Sequence, residues 1–106
     1  MKIAYPLIAS LALATLPGCG SSIAGYCADG CDCAGCNDDK RAECEDHFED
    51  IQRNAENDGC EDRFDAYMDC KISELECRSG RVDDDGCESE YTALIRCSRP
   101  FIPFIF

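Results

Sequence analysis

The sequence predicts an all-α fold: a small disulfide-rich three-helix array behind an irregular, Cys-rich N-terminal segment. Three observations predict it. Eleven of the 106 residues are Cys, a density that indicates a disulfide scaffold in a short exported chain. Residues 38–57 place Cys44, Phe48, Ile51 and Ala55 at steps of four, three and four among charged residues, the spacing of a narrow helical stripe. A motif opening Asp-Gly-Cys-Glu occurs at Asp58 and again at Asp85, each time with a further Cys ten residues after the first.

The N-terminal residues decide how those cysteines are read. Lys2 is followed by an apolar stretch, Ile3 to Thr15, broken only by Pro6 and Ser10, and then by Leu16-Pro17-Gly18-Cys19. This is the layout of a secretory signal peptide, too short and wrongly flanked to span a membrane. Leu16, Gly18 and Cys19 resemble the lipobox of bacterial lipoproteins; Pro17 departs from it. The resemblance implies cleavage after residue 18 and lipidation of Cys19, and Gly20 in place of Asp favours the outer membrane. The alternative is plain secretion, with cleavage after Ala24.

Residues 19–106 number 88, one domain at most. With Cys19 lipidated, ten cysteines remain, enough for five bridges. Nine Lys and Arg against 22 Asp and Glu give this segment a net charge of −13. Such a surface repels nucleic acid and anionic headgroups. It also opposes compaction, which cross-links counteract by lowering the entropy of the unfolded chain.

Residues 19–37 are Gly-, Ser- and Cys-rich. They are expected to form a tether, Ser21 to Gly25, and a knot of turns around Cys27, Cys31, Cys33 and Cys36, pairing among themselves. Asn37 is a suitable cap for a helix from about Asp38 to Asn57. The second helix is expected to run from the first Asp-Gly-Cys-Glu to about Arg78, with Phe64, Met68, Ile72 and Leu75 as its stripe and Gly80 as its stop. The third is expected from about Gly86 to Ser98, ended by Pro100. In both repeats an Asp cap with Glu three residues later reads as a capping box. Residues 38–99 thus form the stapled helical domain, and 100–106 an apolar tail.

A spacing of ten residues on a helix is roughly 15 Å of rise, too far for a bond within one helix. Two antiparallel helices with the same spacing bring the start of one to the end of the other. The expected pairs are therefore Cys60–Cys97 and Cys70–Cys87. Cys44 and Cys77, near the start of the first helix and the end of the second, are expected to form a third. The twin Cys-x9-Cys of residues 60–97 resembles that of mitochondrial coiled-coil-helix-coiled-coil-helix proteins, as shared geometry alone. The run Cys31-Asp-Cys-Ala-Gly-Cys36 and the Asp-Gly-Cys helix starts resemble small Cys-rich predicted lipoproteins of myxobacterial type. That resemblance carries no activity.

Other chemistry is weaker. Cys31, Cys33 and Cys36 have metal-ligand types, but an exported chain favours disulfides. Cys33-Ala-Gly-Cys36 has redox spacing without the strand that accompanies such motifs. Asp83-Asp84-Asp85-Gly86 fails the calcium-loop pattern, since Arg81 and Thr92 would fall at positions 1 and 12. A register through Asn54, Glu56, Asp58 and Gly59 overlaps predicted helices. His47, the only histidine, lies on the charged side of its helix and reads as solvated. The segment Phe101-Ile-Pro-Phe-Ile-Phe106 is expected to fold back over the apolar seam, or else to engage a partner or lipid.

The expectation is a non-enzymatic structural or binding lipoprotein with no cofactor. Its partners would be the membrane, through the anchor, and an envelope protein. Its place would be the outer membrane or periplasm. The alternative is a small secreted inhibitor or toxin-like effector.

Overall fold

Among the described residues four helices, not three, carry the structure. The computed structural model describes the backbone from Gly20 and the side chains from Ser22 to Phe106; the expected signal segment and Cys19 lie outside the described residues. In chain order the elements are α1 (Gly20–Ala34), α2 (Asp38–Asn57), α3 (Glu61–Glu74), β1 (Glu76–Arg78), β2 (Arg81–Asp83) and α4 (Glu88–Cys97). The fold is all-α in class, with one small hairpin.

The first correction is α1, which replaces the expected tether and knot. Ile23, Tyr26, Cys27, Gly30 and Cys31 are buried, at steps of three, one, three and one, which is an amphipathic stripe once glycine and cysteine are counted as core. The helix ends at Gly35, whose φ is +73°. The amides of Gly35 and Cys36 both donate to the Cys31 carbonyl, at 2.8 and 3.1 Å. This left-handed stop usually adds an apolar contact between the residues that here are Cys31 and Cys36; a disulfide takes its place.

Helix α2 keeps the expected bounds and stripe. Asn37 caps it by accepting from the Lys40 amide at 2.9 Å, and Cys44, Phe48, Ile51 and Ala55 are buried. The Asp58-Gly59 step is not the capping box expected of it. Gly59 has φ +74°. Its amide donates to Glu56 and that of Cys60 to Ala55, so the pair terminates α2. The caps of α3 and α4 are Cys60 and Cys87, without side-chain cap bonds. First-turn acids stand there instead, Glu61 and Asp62 in α3 and Glu88 and Glu90 in α4, which the helix dipole favours.

Helix α3 stops four residues short of the expected end. Leu75 turns extended, and residues 76–83 form an antiparallel hairpin with Arg78 opposite Arg81. Ser79 and Gly80 sit at φ +55° and +77°, the double positive φ of a two-residue hairpin turn. Gly80, read as a helix stop, is therefore a hairpin turn, and Ile72 is left 40% exposed.

The disulfides follow this architecture. Cys60–Cys97 and Cys70–Cys87 staple α3 and α4 as an antiparallel pair, with Cα separations of 6.0 and 5.9 Å. The expected Cys44–Cys77 bond is replaced. Cys77 lies on β1 and bonds Cys33 at the end of α1, while Cys44 bonds Cys27 and ties α2 to α1. Of the expected knot only Cys31–Cys36 is internal. Ile23, Tyr26, Phe48, Ile51, Phe64, Tyr67, Met68 and Leu94 form one core with half-cystines 27, 44 and 60.

Loop size sets the expected stability of each link. Cys60–Cys97 spans 37 residues and Cys31–Cys36 only five. By chain entropy, replacing both cysteines of the first with Ala costs about 4 kcal/mol and of the second about 2 kcal/mol. Urea unfolding of the two double variants should show that order.

Candidate functional site: an aromatic groove and its strap

After α4 the backbone leaves helical geometry at Ser98, and residues 100–106 run without secondary structure. We call residues 101–106 the strap. The apolar seam is where the strap lies, the first of the two outcomes expected for it. Three Phe rings seat it. Phe101 packs between Tyr67 and Tyr91, with ring centroids at 5.6 and 5.2 Å, and its carbonyl accepts the Tyr91 hydroxyl at 2.9 Å. Phe104 meets His47 at 5.5 Å and Phe48 at 6.3 Å, with the Lys40 ammonium 4.9 Å from its ring centroid. Phe106 meets Tyr26 at 5.6 Å. Seating these rings turns Ile102 and Ile105 outward, 79% and 77% exposed.

Gly30 makes the deepest seat. A Cβ there would lie 2.1 Å from the Phe106 ring, so only glycine lets the ring reach the α1 backbone. Helix propensity argues against glycine at a helix interior by about 1 kcal/mol relative to Ala, and here the ring occupies the vacated space.

Beneath the strap lies a polar node. Asp84, in the segment after β2, accepts the Tyr26 hydroxyl through one oxygen and holds the Lys71 ammonium at 3.1 Å through the other. Both charged side chains are nearly buried, 14% and 15% exposed. Burial, then the neighbouring Asp84 carboxylate, raise the Tyr26 hydroxyl far above its ordinary range, so it stays a donor. Burial first, and Asp84 second, push Tyr67 up to about 12. His47 is wedged edge-on against Phe48 at 5.2 Å, its Nε2 buried with no hydrogen-bond partner. It is not the solvated surface residue expected from its helix face.

The sequence-predicted positions are thus sorted. Cys27, Cys31, Cys33, Cys36, Cys44, Cys60, Cys70, Cys77, Cys87 and Cys97 are all half-cystines. Cys33 and Cys36 bond different partners, so they are not a redox pair. Cys70, Cys87 and Glu90 bring ligand-type atoms within 4.8 Å, but both sulfurs are already bonded to each other. In the acidic turn, Asp83 pairs with Arg78 at 3.1 Å and Asp84 turns inward to Lys71. Sequence reasoning missed Gly30, Tyr26, Lys71 and Asp84. The available signal was the Tyr26/Gly30 step of four, hidden inside a segment rich in turn residues.

No helix among the described residues is long and apolar enough to cross a membrane. No protein-family model matches the chain, and no curated protein or solved structure is significantly similar to it.

The node should matter more than surface pairs. Asp84→Ala strands the Lys71 charge and the Tyr26 hydroxyl, an expected loss of about 3 kcal/mol. Asp50→Ala removes the exposed Arg53 pair and should cost less than about 1 kcal/mol. Equal losses in denaturant titrations would contradict this assignment. The raised Tyr67 also fixes a sign with pH. The unfolded phenol ionises near 10 and the folded one near 12, so stability present below pH 10 is lost as pH rises toward 12. Tyr67→Phe should flatten that fall in chemical unfolding measured across the window.

Proposed function

We propose that the chain is an exported, non-enzymatic structural or binding module, held to the envelope membrane by a lipid on Cys19. One observation carries the reading. The ten cysteines of the described residues close five disulfides among themselves, which leaves none of them for Cys19. That eleventh cysteine stands at the end of the signal-like segment, where lipidation would consume its thiol. Disulfides in this number need an oxidising compartment.

The side chains support a binding role over a chemical one. Tyr26, Lys71 and Asp84 satisfy one another, His47 is wedged among aromatic rings, and the ten cysteines of the described residues are oxidised. The outer face of α2 presents exposed Asp38, Asp39, Glu43, Asp46, Glu49 and Asp50, a surface suited to a basic envelope protein.

Membrane fractionation of cells expressing the full chain and a Cys19→Ala variant tests the address. The parent should enter the membrane fraction and the variant should not. Intact mass of the purified protein should show five disulfides and a lipid-sized increment on an N-terminal Cys19. An unmodified, soluble parent would instead favour the secreted-effector reading.

A further inference from the structure

We propose that the strap is a built-in occupant of a peptide groove. The groove's other ligand is then an extended segment of a partner protein with aromatic residues at its first, fourth and sixth positions. The inference rests on the binding-module reading above and names the chemistry of the partner. The strap itself states that chemistry, through Phe101, Phe104 and Phe106 in three successive seats. The last seat is cut to the α1 backbone at Gly30.

Two further features separate this segment from ordinary chain packing. It does not fill its groove. A cleft of about 360 Å³ lies between it and the hairpin, lined by Arg81, Val82 and Asp84. Another of about 290 Å³ is lined by Pro103 and Phe104 of the strap and by Lys71 and Tyr91. A longer or bulkier peptide has room that the strap leaves empty. It is also held without sulfur. Among the described residues, each helix and β1 is tied by a disulfide that includes one of its residues or its cap, whereas the strap's one hydrogen bond to the body is from the Tyr91 hydroxyl. Displacement therefore leaves the cross-linked body intact, and a partner competes only with aromatic contacts and that one hydrogen bond.

The test uses the full chain with Phe104→Ser and Phe106→Ser, which weakens the strap, and a fluorescein-labelled peptide of sequence Ser-Arg-Pro-Phe-Ile-Pro-Phe-Ile-Phe. Intact mass and circular dichroism establish that the variant keeps five disulfides and its helices. Fluorescence anisotropy should show saturable one-to-one binding to the variant. Binding to the parent, whose own strap competes at high effective concentration, should be weaker by at least about tenfold. Adding Gly30→Ala, a change that favours the helix itself, should abolish the gain by closing the last seat. Replacing the three peptide Phe residues with Ser should do the same.

Absence of saturable binding to a folded variant would overturn the proposal. So would equal binding to parent and variant, or a parent that dimerises through exchanged straps in light-scattering measurements, since a second copy would then own the groove. If the double variant loses its helices, the same titration is made on full chain carrying Gly30→Ala alone. There the Phe106 seat is closed with every aromatic residue left in place, and peptide affinity above the parent's would overturn the seat assignment. None of these measurements involves Cys19, so failure here leaves the anchored-module reading to the fractionation result.

Discussion

Sulfur cross-links hold together a body whose charge works against it. The segment from Cys19 onward carries −13, and self-repulsion at that level favours expansion of the chain. The apolar interior opposing it is thin: one cluster of buried residues shared by four short helices. Domains of this size gain only a few kcal/mol from such a core. Five links, each removing a few kcal/mol of unfolded-state entropy, shift that balance. They also explain how α2 tolerates charge on most residues outside its stripe. Its position is fixed by Cys44 bonded to Cys27, not by a broad apolar face.

The same constraint shows why much of the helical body was legible and the first helix was not. In α2 the stripe is made of Phe, Ile and Ala against a charged background, so periodicity reads through. In α3 and α4 the ten-residue spacing fixes which ends must meet, because disulfide geometry forbids every bond within one helix. In α1 the buried positions include Cys27, Gly30 and Cys31, residues that also belong to turns. Composition pointed to loops, and tertiary packing overrode it: Gly30 is helical because a ring from the distant strap fills its missing side chain. A local reading of sequence holds no trace of a ring supplied 76 residues away.

The misread Cys44–Cys77 pair has a related cause. Placing Cys77 at the end of a helix required α3 to continue to about Arg78. The Ser79-Gly80 turn, with both residues at positive φ, serves equally as the tip of a hairpin, and that choice swings Cys77 toward α1. Once there it bonds Cys33, and Cys44 is left to bond Cys27 of α1. The polar node follows from the same swing. The hairpin delivers Asp84 between Tyr26 of α1 and Lys71 of α3, so three elements far apart in sequence meet at one carboxylate. Its acidic neighbours Asp83 and Asp85 gave no hint which of the three would turn inward.

What emerges is a molecule in two mechanical parts. The body is fixed covalently, so its helices cannot separate while the disulfides stand. The strap is fixed by aromatic contacts whose individual strength is about 1 kcal/mol beyond simple burial, and two of its Ile side chains remain in water. Its release costs the apolar contacts of three rings and one hydrogen bond, and breaks no covalent link. Local opening therefore concentrates in the strap, above the groove that holds the deepest aromatic seats and the nearly buried Lys71–Asp84 pair. The disulfides among α1, α2, α3, β1 and α4 do not involve the strap, so they hold the body together whether or not it is seated.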